Sequence, residues 1–202
     1  MAQVLGLLRS FKMDIYSLGN SHSAFNFNNI PEVKPIGIGP VTMYRVGRDK
    51  LDFKEHLVSG CMAIFCFGEI DVRMHLAKHT TNENENEVIE KLVKDYVETI
   101  LLQRDNKVIP VIMGVTPACR ATPLTPSVGA DDQRARYCKK LTTYLRYYCL
   151  KYKIDLLDIY DYYADEDWHL IFDLSDKANH IWDNRFVKKV FYKFLKEYNE
   201  RT

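Results

Sequence analysis

Short apolar runs alternate with stretches of helical periodicity along nearly the whole of this chain of 202 residues. The segment from Met62 to Phe67 is almost continuously apolar, which is typical of a strand buried on both faces of a parallel sheet. From Val88 to Leu101, by contrast, the apolar residues recur at the spacing of one helix face. This alternation predicts an α/β fold, in which right-handed crossovers place helices on both faces of the sheet.

The same patterns define the individual elements. We expect five strands, at 14–18, 33–38, 62–67, 108–115 and 154–159. We expect helices at 21–28, 49–58, 88–101, 131–152 and 184–198, and a long loop at 116–129. Pro110 is expected at a strand start or a local irregularity, because it cannot donate a ladder hydrogen bond. The predicted fold is therefore a three-layer α/β/α sandwich around a parallel sheet of about five strands.

No internal repeat or linker divides the sequence, so we expect one domain over 1–202. Within 1–12, the apolar run Val4 to Leu8 is too short for a signal sequence or a membrane span. It is expected to be an extra N-terminal strand or a segment added for expression. We therefore predict a cytoplasmic protein with no membrane insertion.

Composition narrows the class of protein. Hydrophobic residues make up 47% of the chain and the net charge is +1, which gives no reason to expect a nucleic-acid partner. The five cysteines are odd in number and lack a C-x-x-C spacing, so free thiols in a reducing compartment are expected. His75 and His79 lie four apart without a third ligand, and no metal site is predicted.

Glycine and polar residues follow the predicted strands, where sites in parallel sheets lie. Ser21 comes after the first strand and is expected to open a helix, whose N-terminal N–H can face developing negative charge. A serine nucleophile needs a base and a group that orients the base. His180 and Asp176 lie in one segment after the last strand, so a single loop can present both.

Four ordered blocks resemble the SGNH or GDSL-type hydrolases. The family block G-D-S-x-S/T reads here as residues 19–23, G-N-S-H-S. The block G-x-N-D reads G-E-I-D at 68–71 and continues to Arg73 like a subfamily with G-E-I-D-x-R, and D-x-x-H reads as Asp176 to His180 with one extra residue. Together with the glycine after the second strand, these blocks span most of the chain.

This resemblance implies a flavodoxin-like sandwich and ester hydrolysis without metal or cofactor. It implies Ser21 as nucleophile, His180 as base and Asp176 as the orienting carboxylate. Asn20, Gly39, Gly68, Glu69 and Arg73 are assigned by the same resemblance, or by their place at strand ends, to the oxyanion and substrate region.

The sequence departs from the family in three ways. Asn20 replaces the usual Asp, Ile70 occupies the position of the Asn donor, and Gly39 precedes Pro40, which has no N–H. Losing one oxyanion donor typically costs about 100- to 1,000-fold in rate.

Simpler interpretations stand beside these assignments. Ser21 can be a helix N-cap, Asp173 competes with Asp176, and Asp71 is expected to be structural, in an ion network with Glu69 and Arg73. The side chain of His22 is expected to point away from that of Ser21. Arg73 is expected either to contact substrate or to be structural.

The leading hypothesis is an esterase acting on a small acyl ester, with O-acetyl groups on a carbohydrate as one substrate class. An O-acyltransferase and a non-catalytic glycan-binding module are the alternatives, and the oligomeric state is left open. The expected partner is a small-molecule or carbohydrate ester.

Overall fold

The computed structural model describes residues 13–123 and 125–201, so the apolar run within 1–12 lies outside the described residues. In the described residues, five strands form one sheet: β1 (Ile15–Gly19), β2 (Val33–Gly37), β3 (Met62–Cys66), β4 (Ile109–Met113) and β5 (Asp155–Leu157). All neighbours are parallel and the order is β2-β1-β3-β4-β5. This is the flavodoxin-like order, and it confirms the predicted parallel sheet.

Helices connect the strands and close the chain. They are α1 (His22–Phe25), α2 (Met43–Asp49), α3 (Leu76–His79), α4 (Glu85–Leu101), α5 (Asp131–Tyr152), α6 (Tyr160–Tyr163) and α7 (Arg185–Arg201). A π-helical turn at Asp71–His75 precedes α3, and short 3-10 turns lie at Leu102–Asn106 and Phe172–Leu174.

Two apolar clusters, one on each face of the sheet, make the sandwich. Alternate residues of β3 contribute to the two clusters. Ala63 and Phe65 pack in the cluster with α2, α4 and α5. Met62, Ile64 and Cys66 pack in the cluster with α7. Because every residue of β3 is buried, its near-continuous apolar run reports two covered faces, as predicted.

The predicted helix at 49–58 is wrong. Helix α2 spans Met43–Asp49 and ends at Lys50, whose φ of 50° is left-handed. Its start is fixed by Thr42, whose Oγ1 accepts a hydrogen bond from Arg45 N at 3.0 Å. The Asp71 carboxylate also accepts from the first two N–H groups of α2, so a distant residue sets the helix boundary. The helix predicted at 21–28 is likewise shorter, since α1 is a single turn.

The cysteines match the prediction, because all five are free and buried. Pro110 is the second residue of β4, near the strand start. Over residues 13–123 and 125–201, no helix has both the length and the apolarity that crossing a membrane requires.

Candidate active site

Ser21 and His180 meet although 159 positions separate them in the chain. Strand β1 ends at Gly19, and the exposed Ser21 follows two residues later. Its Oγ lies 2.8 Å from His180 Nε2. A Cβ at Gly19 would sit 2.2 Å from the carbonyl oxygen of Cys66 on β3, so only glycine permits this approach of the two strand ends.

Asp176 holds the imidazole on its other side. Its Oδ2 lies 2.7 Å from His180 Nδ1, and its Oδ1 accepts from the backbone N–H groups of Ala178 and His180 at 2.9 and 3.1 Å. Burial alone would raise the pKa of Asp176, but these hydrogen bonds outweigh it and hold the pKa below its ordinary value. The competing Asp173 is exposed and, unlike Asp176, does not hold the ring.

The loop that carries these two residues is a small hairpin closed by a bridge between Ser175 and Ile181. Asp176 N donates to His180 O at 3.0 Å, and Lys177 at the turn has a left-handed φ of 64°. This turn accommodates the extra residue between Asp176 and His180. The four-residue spacing therefore still brings carboxylate and imidazole into contact.

Two residues of α1 pack against His180, and sequence reasoning missed both contacts. The Phe25 ring stacks on the imidazole with centroids 4.0 Å apart and planes inclined by 11°. The His22 ring lies 4.9 Å from that of His180, and its Nε2 is 2.9 Å from Asn179 O. The His22 side chain, which was expected to point away from that of Ser21, is directed toward the loop that carries His180. The only sequence signal was their position, since His22 directly follows Ser21 and Phe25 lies one helical turn after it.

His22 is buried, and burial lowers its pKa, although Glu69 and the Asn179 carbonyl favour the charged form. Each ring nitrogen faces an oxygen acceptor, Nε2 that of Asn179 at 2.9 Å and Nδ1 that of the Asn20 side chain at 3.1 Å. The side chain of His22 thereby links α1 to the loop that carries His180.

Asn20 is almost fully buried and faces inward. Its Oδ1 accepts from His22 N at 3.0 Å and lies 3.1 Å from His22 Nδ1. Its Nδ2 has no hydrogen-bond partner within the described part of the chain. Because Oδ1 must face the backbone donor, the amide orientation is fixed and Nδ2 is the group left over.

Glu69 and Arg73 form an ion pair beside the site. Arg73 Nε lies 2.6 Å from Glu69 Oε1, and Arg73 Nη1 donates to Pro126 O at 2.9 Å. Glu69 is buried and the Arg73 side chain is only 20% exposed. The guanidinium of Arg73 is therefore engaged in structural contacts, and it links the long loop 116–129 to the π-helical turn.

Asp71 does not join this ion pair. It is 1% exposed and accepts from Met43 N at 2.7 Å and Tyr44 N at 2.9 Å. Burial raises its pKa to about 6. The expected ion network is therefore present as the Glu69–Arg73 pair, and the expectation that Asp71 belongs to it is wrong; Asp71 nevertheless has a structural position, as expected.

The glycines assigned to the oxyanion and substrate region lie at neighbouring strand ends. Gly39, with a φ of 79°, sits in the exposed turn after β2, next to the strand that leads to Ser21. Gly68, with a φ of 110°, packs so closely that a Cβ would sit 2.8 Å from the Val115 side chain. Ile70 offers no polar side-chain donor.

The hydrogen-bonded series Asp176–His180–Ser21 has the arrangement required for proton removal from a serine. With Nδ1–H donated to the carboxylate, the lone pair of Nε2 faces Ser21 Oγ. In the residues that the structure describes, no group of three or more His, Cys, Asp or Glu side chains is placed to hold a metal ion.

Neither a family model nor a curated protein matches the sequence. Solved structures do match the fold. A GDSL-like lipase from Bacteroides thetaiotaomicron is 17% identical, with a TM-score of 0.64 over 99% of this chain and 95% of its own. The OSK domain of Drosophila Oskar is 12% identical, with a TM-score of 0.61 over 93% and 90%. An acetyl xylan esterase is 12% identical, with a TM-score of 0.53 over 90% and 99%. At these identities the likeness concerns the fold, which is that of the GDSL-type hydrolases.

Proposed function

We propose that this protein, which has the fold of the GDSL-type hydrolases, is a serine esterase that cleaves small acyl esters through an acyl-enzyme on Ser21. The observation that carries the proposal is the 2.8 Å contact between Ser21 Oγ and His180 Nε2, with Asp176 on the far side of the ring. A serine hydroxyl next to an imidazole whose other nitrogen is held by a carboxylate is the arrangement that activates a serine nucleophile.

In the proposed mechanism, His180 removes the Ser21 proton as Oγ attacks the acyl carbon. The imidazolium then protonates the leaving alcohol oxygen, and the C–O bond to the alcohol breaks. Water, deprotonated by His180, attacks the acyl carbon; the imidazolium then returns the proton to Ser21 Oγ as the acyl–Oγ bond breaks and the acid leaves. Asp176 stays ionised and stabilises the imidazolium throughout, in agreement with its lowered pKa. These steps use no cofactor.

The oxyanion in this proposal is held by the backbone N–H groups of Ser21 and Gly39. Since Ile70 supplies no third donor, we expect turnover about 100- to 1,000-fold below that of an enzyme with a complete set.

A carbohydrate ester is the substrate class we favour. Trp182 follows His180 by two residues and is 65% exposed, and the nearby Phe172 is 59% exposed. Exposed aromatic rings beside an active site suit the apolar faces of sugars. One protein of similar fold is an acetyl xylan esterase, which supports O-acetyl groups as the acyl class.

Labelling with a fluorophosphonate probe tests the nucleophile. We expect one adduct on Ser21 in the folded protein, located by mass spectrometry, and none in Ser21→Ala. The matched control is Ser59→Ala, which removes an exposed serine at the opposite end of the sheet and should leave labelling unchanged. Folded wild-type protein without an adduct on Ser21 would contradict the proposal.

Product analysis separates hydrolysis from acyl transfer. With an acetylated sugar as donor, free acetate is expected whether or not a second sugar is present. If an acceptor sugar becomes acetylated and no acetate is released, the acyl-enzyme part of the proposal stands, but the protein is an O-acyltransferase.

The second candidate is a non-catalytic glycan-binding module, and the replacement of the donor at Ile70 is the observation that favours it. Fold alone does not decide between them. Glycan binding that persists in Ser21→Ala, with no turnover by the wild type, would select this alternative.

A further inference from the structure

The ring of Phe25 lies against one face of the His180 imidazole. The two ring centroids are 4.0 Å apart and the planes are inclined by only 11°, so the rings are stacked. Phe25 N donates to Ser21 O at 3.1 Å, and residues four apart share a helix face. One short turn therefore presents both the nucleophile and the phenyl ring to His180.

The edge of the imidazole is held by other residues. Asp176 Oδ2 lies 2.7 Å from Nδ1, and Ser21 Oγ lies 2.8 Å from Nε2. The His180 side chain is only 16% exposed and Phe25 is half-buried, so water screens the contact between the two rings weakly. Phe25 can therefore act on the ring face while the proton transfers take place at the ring edge.

A phenyl ring interacts differently with a neutral and with a charged imidazole. Its face carries negative potential, and a cation within about 6 Å of the ring centroid is attracted to it. In the proposed reaction His180 becomes a cation when it removes the proton of Ser21. The attraction therefore grows as the transition state forms, and an interaction of this kind raises the rate and does not merely strengthen binding.

The second histidine near His180 does not oppose this effect. The His22 ring lies 4.9 Å from that of His180, and a positive charge on it would repel the imidazolium. Burial lowers the pKa of His22 below its ordinary value of 6.5, so the His22 ring is neutral at pH 7.

We propose, on the basis of the esterase function above, that Phe25 is a positioning residue for His180, whose ring holds the imidazole in place and stabilises the imidazolium at each proton transfer. Acylation and deacylation both pass through this cation. Both steps should therefore depend on the negative potential at the face of the ring at position 25, and not only on its size and shape.

Fluorinated phenylalanines at position 25 test this, because fluorine weakens and finally reverses the negative potential of the ring face with little change in ring shape. The wild type is compared with the 4-fluoro, 3,5-difluoro and pentafluoro forms, with phenyl acetate as substrate. We expect kcat to fall steadily along the series, by about 2- to 30-fold in total, and kcat/KM to fall by a similar factor. An unchanged kcat would overturn the proposal and show that Phe25 only packs against the imidazole.

Pentafluorophenylalanine in place of Phe186 is the matched control. Phe186 is also half-buried, and it stacks on Tyr162 with centroids 5.2 Å apart and planes inclined by 17°. Since Tyr162 takes no part in the proposed reaction, kcat should equal that of the wild type. Equal falls on fluorination at positions 25 and 186 would contradict the role of Phe25. The monofluoro and difluoro rings are nearly isosteric with phenylalanine, so the trend does not depend on the folding of the pentafluoro form.

Failure of the esterase function gives a different result. In that case the wild type neither cleaves phenyl acetate nor forms a fluorophosphonate adduct on Ser21, and the role of Phe25 is overturned together with the esterase. If the wild type is labelled and active but the fluorinated forms match it, only the role of Phe25 is overturned.

Discussion

Asp176 makes three hydrogen bonds within its own hairpin, and their arrangement predicts what its amide analogue does. In Asp176→Asn, the amide oxygen stays with the backbone donors and the NH2 group turns toward His180 Nδ1. The ring must then carry its proton on Nε2, which can no longer accept one from Ser21. We expect kcat to fall roughly 1,000- to 10,000-fold, measured by steady-state kinetics.

Asp173→Asn is the control for this change, because Asp173 is exposed in the same segment and should leave kcat unchanged. A thermal melt of both variants separates a change of tautomer from unfolding. Wild-type turnover by Asp176→Asn would exclude Asp176 as the orienting carboxylate.

Asp71 should titrate unusually for an aspartate. Its pKa is raised from 3.8 to about 6 by burial, so the folded protein binds this proton more tightly than the unfolded chain does. Its contribution to the free energy of unfolding therefore increases as pH falls from about 6 to 3.8, by on the order of 3 kcal/mol. An NMR titration of its carboxyl carbon should show a midpoint near 6. A midpoint near 4 would show that its two backbone hydrogen bonds outweigh burial.

At the scale of elements, Glu85 joins the start of α4 to α5 through Arg136, at 3.0 Å, and Lys140. The hydrogen bond from Arg136 is the main cause that holds the pKa of Glu85 below its ordinary value of 4.5. Lys140 lowers this pKa further, whereas burial opposes the shift. A lowered pKa stabilises the fold above pH 4.5, and the stabilisation is lost as pH falls through the folded-state pKa.

Glu85→Gln should therefore lower the free energy of unfolding by about 1–3 kcal/mol at pH 7, measured by urea denaturation. The difference from wild type should disappear in acid. Glu87→Gln is the control on the same helix, since Glu87 is exposed. A difference that persists unchanged at pH 3 would mean that packing, and not charge, accounts for the effect.

Gly47 shows how closely two helices approach. A Cβ at this position of α2 would lie 2.9 Å from backbone atoms of Asp95 and Tyr96 on α4. Gly47→Ala should destabilise the protein by about 1–3 kcal/mol, although alanine favours an isolated helix. Denaturant unfolding measures this, with the solvent-facing Gly37→Ala as a comparison where a Cβ meets nothing within 4 Å. A stabilised Gly47→Ala would mean that α2 moves freely against α4.

For the whole molecule, stability depends on covering both faces of the sheet. Phe191 of α7 is 0% exposed and packs in the cluster on one face, whereas Phe172 is 59% exposed. Phe191→Ala should lower the free energy of unfolding by about 3–5 kcal/mol, and Phe172→Ala by less than about 0.5 kcal/mol. Both values come from chemical denaturation. Equal losses would contradict the described packing of α7.

Patterns within short windows predicted much of this molecule. The period of apolar residues depends on neighbours along the chain, so it identified five strands, the buried character of β3 and the long helices α4, α5 and α7. The order of strands and helices limited the topology to a parallel sandwich, and the strand ends indicated where Ser21, His180 and Asp176 belong.

Tertiary structure alone decided the remainder, because it depends on residues brought together from far along the chain. The carboxylate of Asp71 starts α2 from 28 residues away, which no local pattern reports. The same applies to the stacking of Phe25 on His180 and to the inward-facing amide of Asn20. A sequence determines which side chains are available at a sheet edge, whereas packing determines which of their atoms meet.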